Sequence, residues 1–180
     1  MSLVIKHFFD RKSLILLINS FVSSKLFYSS SVWGNTAKSK IHKLQLEQNF
    51  AARLVLGLKK FDHISEGRRS LKWLNVSEKI LFNDLVLVFK CLNGLAPGYL
   101  ADYFITRLAN HSRNLRRSGD LSLPRCRLSA GQRRFYFRGA KRWNDLPKDF
   151  QGIKDIKVFK KRLGNYIFNV ITYYLSDLLF

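Results

Sequence analysis

The chain is short of acid, of cysteine and of long apolar runs, and each shortage removes a class of function. Only 12 of its 180 residues are Asp or Glu, and no Asp-Asp pair occurs anywhere. Two-metal phosphoryl transfer needs clustered carboxylates to hold both ions, so a polymerase metal centre is not expected, nor is any other cofactor. The two cysteines, Cys91 and Cys126, lie far apart and form no C-x-x-C. That is no disulfide framework, and it suits a reducing compartment, cytoplasmic or nuclear. The four histidines (His7, His42, His63 and His111) have no ligand spacing with one another or with the cysteines, which excludes a zinc site from the expectation. No stretch reaches the roughly 18 to 20 apolar residues that span a bilayer. Residues 13–27 are interrupted by Asn19 and Lys25, and the apolar C-terminal stretch contains Asp177. No small-residue cleavage site follows the first apolar run, so no signal peptide is expected. G-x-x-x-x-G-K, G-x-G-x-x-G and the nucleophile elbow are also missing. No membrane partner and no small-molecule substrate are expected.

What is present is positive charge on a foldable background. Hydrophobic residues make up 47% of the chain, enough for a core that hides roughly 70% of the unfolded surface at this size. Against the 12 acids stand 32 Lys and Arg, a net charge of +20. Self-repulsion at that charge opposes compaction, so an anionic partner is expected, nucleic acid before membrane. The charge is concentrated. Residues 111–142 hold ten Lys or Arg and one acid, Asp120, whereas residues 61–110 carry six basic residues against five acidic. Arginine dominates the basic stretch, and its planar fork suits phosphates and stacks on bases.

Periodicity predicts a mainly α protein. Helices are expected over 12–29 and over 38–56, the latter with Ile41, Leu44, Ala51, Ala52 and Val55 inward and Gly57 as its C-terminal cap. A loop and short helix should follow over 61–74. The helix over 76–93 is the clearest, with Leu81, Leu85, Val88, Phe89 and Leu92 as its buried stripe. Asn75 and Glu78 have capping-box spacing at its start, and Gly94 stands at its end. Pro97 suits the first turn of a helix to about Leu108, and residues 109–119 read as a basic loop. Residues 121–128 and 132–138 are strand candidates joined at Ala130 and Gly131, a small antiparallel pair. On a strand, Phe135 and Phe137 would face the core while Arg134, Tyr136 and Arg138 faced a ligand. Asp155 is placed to cap a last helix with Ile156, Phe159 and Leu163 inward.

Four groups are candidates for nucleic-acid contact. Arg133, Arg134, Arg138, Lys141 and Arg142, interleaved with aromatic residues, suit phosphates. Tyr136 is a candidate stacking platform for a base. Arg113, Arg116 and Arg117 form either a basic arm or a solvated loop. Lys157, Lys160 and Lys161, with Arg162, either track a backbone or face water. Trp33, Trp73 and Trp143 read as core anchors, and Gln45 and Gln48 as helix-packing residues.

Five segments in fixed order carry a family likeness: FVSSKLFYSSSVWGN (21–35), KLQLEQNFAARLVLG (43–57), FDHISEGRRSLKWLNV (61–76), FKCLNGLAPGYLADYF (89–104) and GQRRFYFRGAKRWNDLP (131–147). Together they resemble the C-terminal, thumb and post-thumb part of non-LTR (LINE-type) retrotransposon reverse transcriptases of the jockey and chicken-repeat lineages. The resemblance covers residues 12–168. It implies a helical thumb-like region over 1–108, then a basic arm, strand pair and C-terminal helix over 109–180. It also implies RNA or an RNA–DNA hybrid as ligand, and the palm and fingers of a parent RNA-directed DNA polymerase as protein partners. The family's catalytic Y/F-x-D-D palm motif has no counterpart in this sequence, so the chain itself is not expected to be an enzyme. Residues 169–180 run past the likeness as an extension, and residues 1–10 fit it poorly, which implies a reading frame that opens inside an older, longer one. Three other readings stand beside this one. The chain is one end of an active polymerase, an unrelated basic RNA-binding or ribosome-associated protein, or a retroelement relic without function.

Overall fold

A computed structural model of the chain describes residues 8–110 and 119–176, excepting the side chains of residue 110 and of 170–176. It is mainly helical and packs as two units, Met1–Ile80 and Leu81–Phe180. The expected division at 108/109 falls within the second unit. Among the described residues no helix is long and apolar enough to cross a membrane.

The first unit is built on two long helices. α1 (Arg11–Ile18) starts at Asp10, whose carboxylate accepts from the Ser13 N–H. It runs on through a π-helical stretch, Asn19–Ser23, and a last α turn, Ser24–Leu26. Its Leu14 and Ile18 meet Ala51 and Val55 of α2 (Lys38–Leu56), with Leu71 and Trp73 closing over them. The small Ala51 and Ala52 let that helix come close. Gly57, at φ 72°, ends it in the left-handed conformation only glycine adopts without cost, and its N–H donates to the Arg53 carbonyl at 2.8 Å.

Polar side chains fasten α2 to the start of α3 (Val76–Leu92). The Val76 N–H donates to Gln45 Oε1 at 2.9 Å, and Gln48, 5% exposed, donates to the Leu74 carbonyl at 2.8 Å. The capping box is closed: the Asn75 N–H donates to Glu78 Oε2 (2.7 Å) and the Glu78 N–H to Asn75 Oδ1 (2.8 Å). The two glutamines therefore serve helix packing, as their spacing suggests.

The second unit packs around Phe159 of α5 (Ile156–Ser176), which is fully buried. Phe89 of α3 stacks on it at 4.2 Å, and Trp143 and Phe150 flank it at 5.8 and 6.1 Å. Asp155 caps α5 by accepting from the Lys157 and Val158 N–H groups.

Two expectations are corrected here. Residues 132–138 are not a strand. They enter a short helix, Ser129–Gln132, and then α4 (Phe135–Asn144). The apolar–polar alternation there lasts only a few residues, whereas Phe135, Gly139, Ala140 and Trp143 keep a helical spacing that buries one face. Gly139 permits the crossing with α3, because a Cβ there would lie 2.9 Å from Val88 Cγ2. Residues 122–127 carry no regular element, and Leu121 forms a single antiparallel bridge with Thr106 instead of a hairpin with 132–138. The helix expected from Pro97 to Leu108 is likewise two short pieces, Gly98–Ala101 and Arg107–Asn110, with that bridge between them.

Candidate nucleic-acid interface

The arginine-rich helix faces two ways, and the difference sorts the candidate contacts. Asp84 of α3 has no exposed surface, and an isolated buried carboxylate is costly without partners. Arg138 supplies a fork: Nε donates to Asp84 Oδ2 at 2.8 Å and Nη2 to Oδ1 at 3.3 Å. Arg142, one turn further along α4, donates through Nη1 to the same Oδ2. The Arg138 side chain is 12% exposed and that of Arg142 28%. Burial pushes the Arg142 guanidinium below its usual range, and the Asp84 charge pulls it back. Both arginines were expected to meet phosphate; here both donate to Asp84.

Tyr136 is also not the open platform the strand reading gave. It is half-buried and stacks on Tyr103, ring centroids 5.3 Å apart and planes 15° apart. Trp143 is buried, while Trp33 and Trp73 are half-buried; Trp73 packs on the first unit's core.

The remaining candidates are at the surface. Arg133, Arg134 and Lys141 are exposed around α4, Arg134 standing at its N-cap position. Lys157, Lys160 and Lys161, together with Arg162, are exposed along α5, whose opposite side carries the buried Phe159, Leu163 and Ile167. Helical spacing puts the three lysines on the water side for the same reason that it buries those apolar residues. Arg113, Arg116 and Arg117 lie outside the described residues.

Most residues around one further cleft were not among the candidates. Asp120, the lone acid of the basic stretch, is 3% exposed and pairs with Lys148. Arg107, Lys141 and Lys148 line that cleft with Asp120, Asn144 and Asp145. Asn144 holds the cleft's wall by accepting from the Leu121 N–H (2.8 Å) and donating to its carbonyl (3.0 Å). The signal for Asp120 was its isolation among cations. For Arg107, held at the Thr106–Leu121 bridge, the sequence offers none.

Chemically, the exposed set can neutralise and position an anion. Among the described residues no three or more His, Cys, Asp or Glu side chains are grouped to hold a metal ion. No protein-family model, curated protein or solved structure matches the chain.

Proposed function

We propose that the chain is a non-catalytic nucleic-acid-binding segment that holds RNA or an RNA–DNA hybrid through Lys and Arg contacts to the phosphate backbone. Its origin, on the five-segment resemblance, is the C-terminal part of a retrotransposon RNA-directed DNA polymerase. The observation that carries the binding is the division of charge in the second unit. Its buried acids, Asp84 and Asp120, face Arg138, Arg142 and Lys148, while Arg134, Lys141, Lys157, Lys160 and Lys161 are exposed to solvent. Exposed cations in this excess release counterions from a polyanion, giving affinity that depends on salt more than on sequence.

Fluorescence anisotropy of labelled RNA and RNA–DNA hybrid, titrated with salt, tests this. With about six phosphates neutralised, log affinity should fall against log salt with a slope of about −4 to −5. An absence of binding at low salt would leave only ancestry.

A second reading draws on the first unit, where Leu16, Phe21, Tyr28, Val32 and Phe61 are all at least 66% exposed. Large apolar side chains in water favour a protein partner for that unit, and the resemblance implies a polymerase palm and fingers. Loss of apolar-dye binding when such a segment is co-expressed would support it; undiminished dye binding would count against it.

A further inference from the structure

The stacked pair of tyrosines presents one ring outward. Tyr136 covers one face of Tyr103, yet Tyr103 remains 58% exposed, so its other face lies open to water. Both rings are held by their neighbours. Phe104, next to Tyr103, is 6% exposed and meets Phe135, next to Tyr136, edge-on at 5.6 Å and 74°. The Phe104 N–H also donates to the Ala101 carbonyl at 2.8 Å. The Phe104–Phe135 contact thus fixes the backbone on both sides of the tyrosine stack, so little ordering remains to be done when a third ring arrives.

We propose that the open face of Tyr103 is a stacking site for one unpaired nucleobase of a single-stranded RNA, continuing the Tyr136–Tyr103 stack. Charge selects the ligand class. Arg133 and Arg134 are exposed just before α4, on the segment that delivers Tyr136, and suit the phosphates flanking a stacked base. A cationic peptide would be repelled by them. A duplex keeps its base faces within its own stack and offers none to Tyr103. Asp102, exposed and next to Tyr103 in the chain, is an acid that a phosphate would avoid.

This proposal rests on the nucleic-acid reading above, and the test separates the two. The full-length chain is titrated with labelled oligoadenylate RNA, with an abasic oligomer of equal length, and with an RNA–DNA duplex. Wild type should bind oligoadenylate about five- to 150-fold more tightly than the abasic strand, the range a stacked base contributes. Tyr103→Ala should remove that gap while leaving the abasic affinity, the duplex affinity and the circular dichroism unchanged. Tyr103→Trp should keep the gap, and 2-aminopurine in the strand should be quenched by wild type and by Tyr103→Trp only. Equal affinity of wild type for oligoadenylate and abasic strand overturns the stacking site and leaves backbone binding intact. Parallel loss of all three affinities in Tyr103→Ala gives the ring a structural role and overturns it too. Failure of wild type to bind any of the oligomers overturns both readings.

Discussion

Helices α4 and α5 look alike as sequence, each a basic segment with an apolar stripe, but they place their charge differently. On α4, Arg138 and Arg142 turn inward to Asp84, a residue with no exposed surface. On α5, Lys157, Lys160 and Lys161 stay in water beside a side that buries Phe159 and Leu163. Positive charge is therefore placed in two ways. One set is paired inside the fold, and the other stays in water, where the proposed ligand would meet it. Residue type alone does not separate them; the location of the buried Asp84 does.

The largest expected effect comes from removing that acid. Asp84→Ala leaves two arginines facing a desolvated site and should cost about 3–5 kcal/mol, read as a lower urea midpoint. Replacing Asp84, Arg138 and Arg142 together by apolar residues of similar size should restore much of the loss, since the apolar substitute needs no desolvation. If Asp84→Ala melts like wild type, the inward set is not structural and the comparison collapses.

Next is the crossing that brings α4 onto α3. Gly139→Val places a branched side chain where even a Cβ lies 2.9 Å from Val88 Cγ2. Overpacking of this kind should cost about 1–3 kcal/mol, again in urea, with Gly152→Val, where a Cβ meets nothing within 4 Å, as the control in open space. In the first unit, Gln48→Ala strands the Leu74 carbonyl and should cost a similar about 1–3 kcal/mol.

The elements most legible in the sequence are those in which local signals agree. α2 and α3 combine helical periodicity with a glycine stop, and α3 adds the Asn75–Glu78 box, so their limits could be read closely. α4 was misread because Arg134 to Arg138 alternates well enough for a strand over five residues. Its helical stripe becomes visible only when Gly139, Ala140 and Trp143 are included. The partner of Arg138 was hidden for another reason. Asp84 lies 54 residues away, and nothing local marks a carboxylate on α3 as the one that will be buried. The α5 lysines were legible as a face but not as a site, because solvated and ligand-binding lysines share one pattern.

The smallest effect concerns the cap of α5. Hydrogen bonds from the Val158 and Lys157 N–H groups hold the Asp155 carboxyl below the usual aspartate range. A depressed folded-state value means that the carboxylate's contribution is complete above the unfolded value and is lost as pH falls through the folded one. Asp155→Asn keeps an acceptor but cannot titrate. The melting-temperature advantage of wild type over this variant should therefore be present at neutral pH and shrink below about pH 4. An advantage that is constant with pH would remove charge from the explanation of the cap.

The most direct measurement pairs the two sets in one experiment: thermal melting and salt-dependent RNA affinity for Arg138→Ala with Arg142→Ala, and for Lys157→Gln with Lys160→Gln and Lys161→Gln. The inward double variant should melt early and, where folded, keep the wild-type salt slope. The outward triple variant should melt like wild type and bind with a slope flatter by about two to three. An outward variant with an unchanged slope, or an inward variant that loses slope without losing stability, would contradict the division of charge on which the functional reading stands.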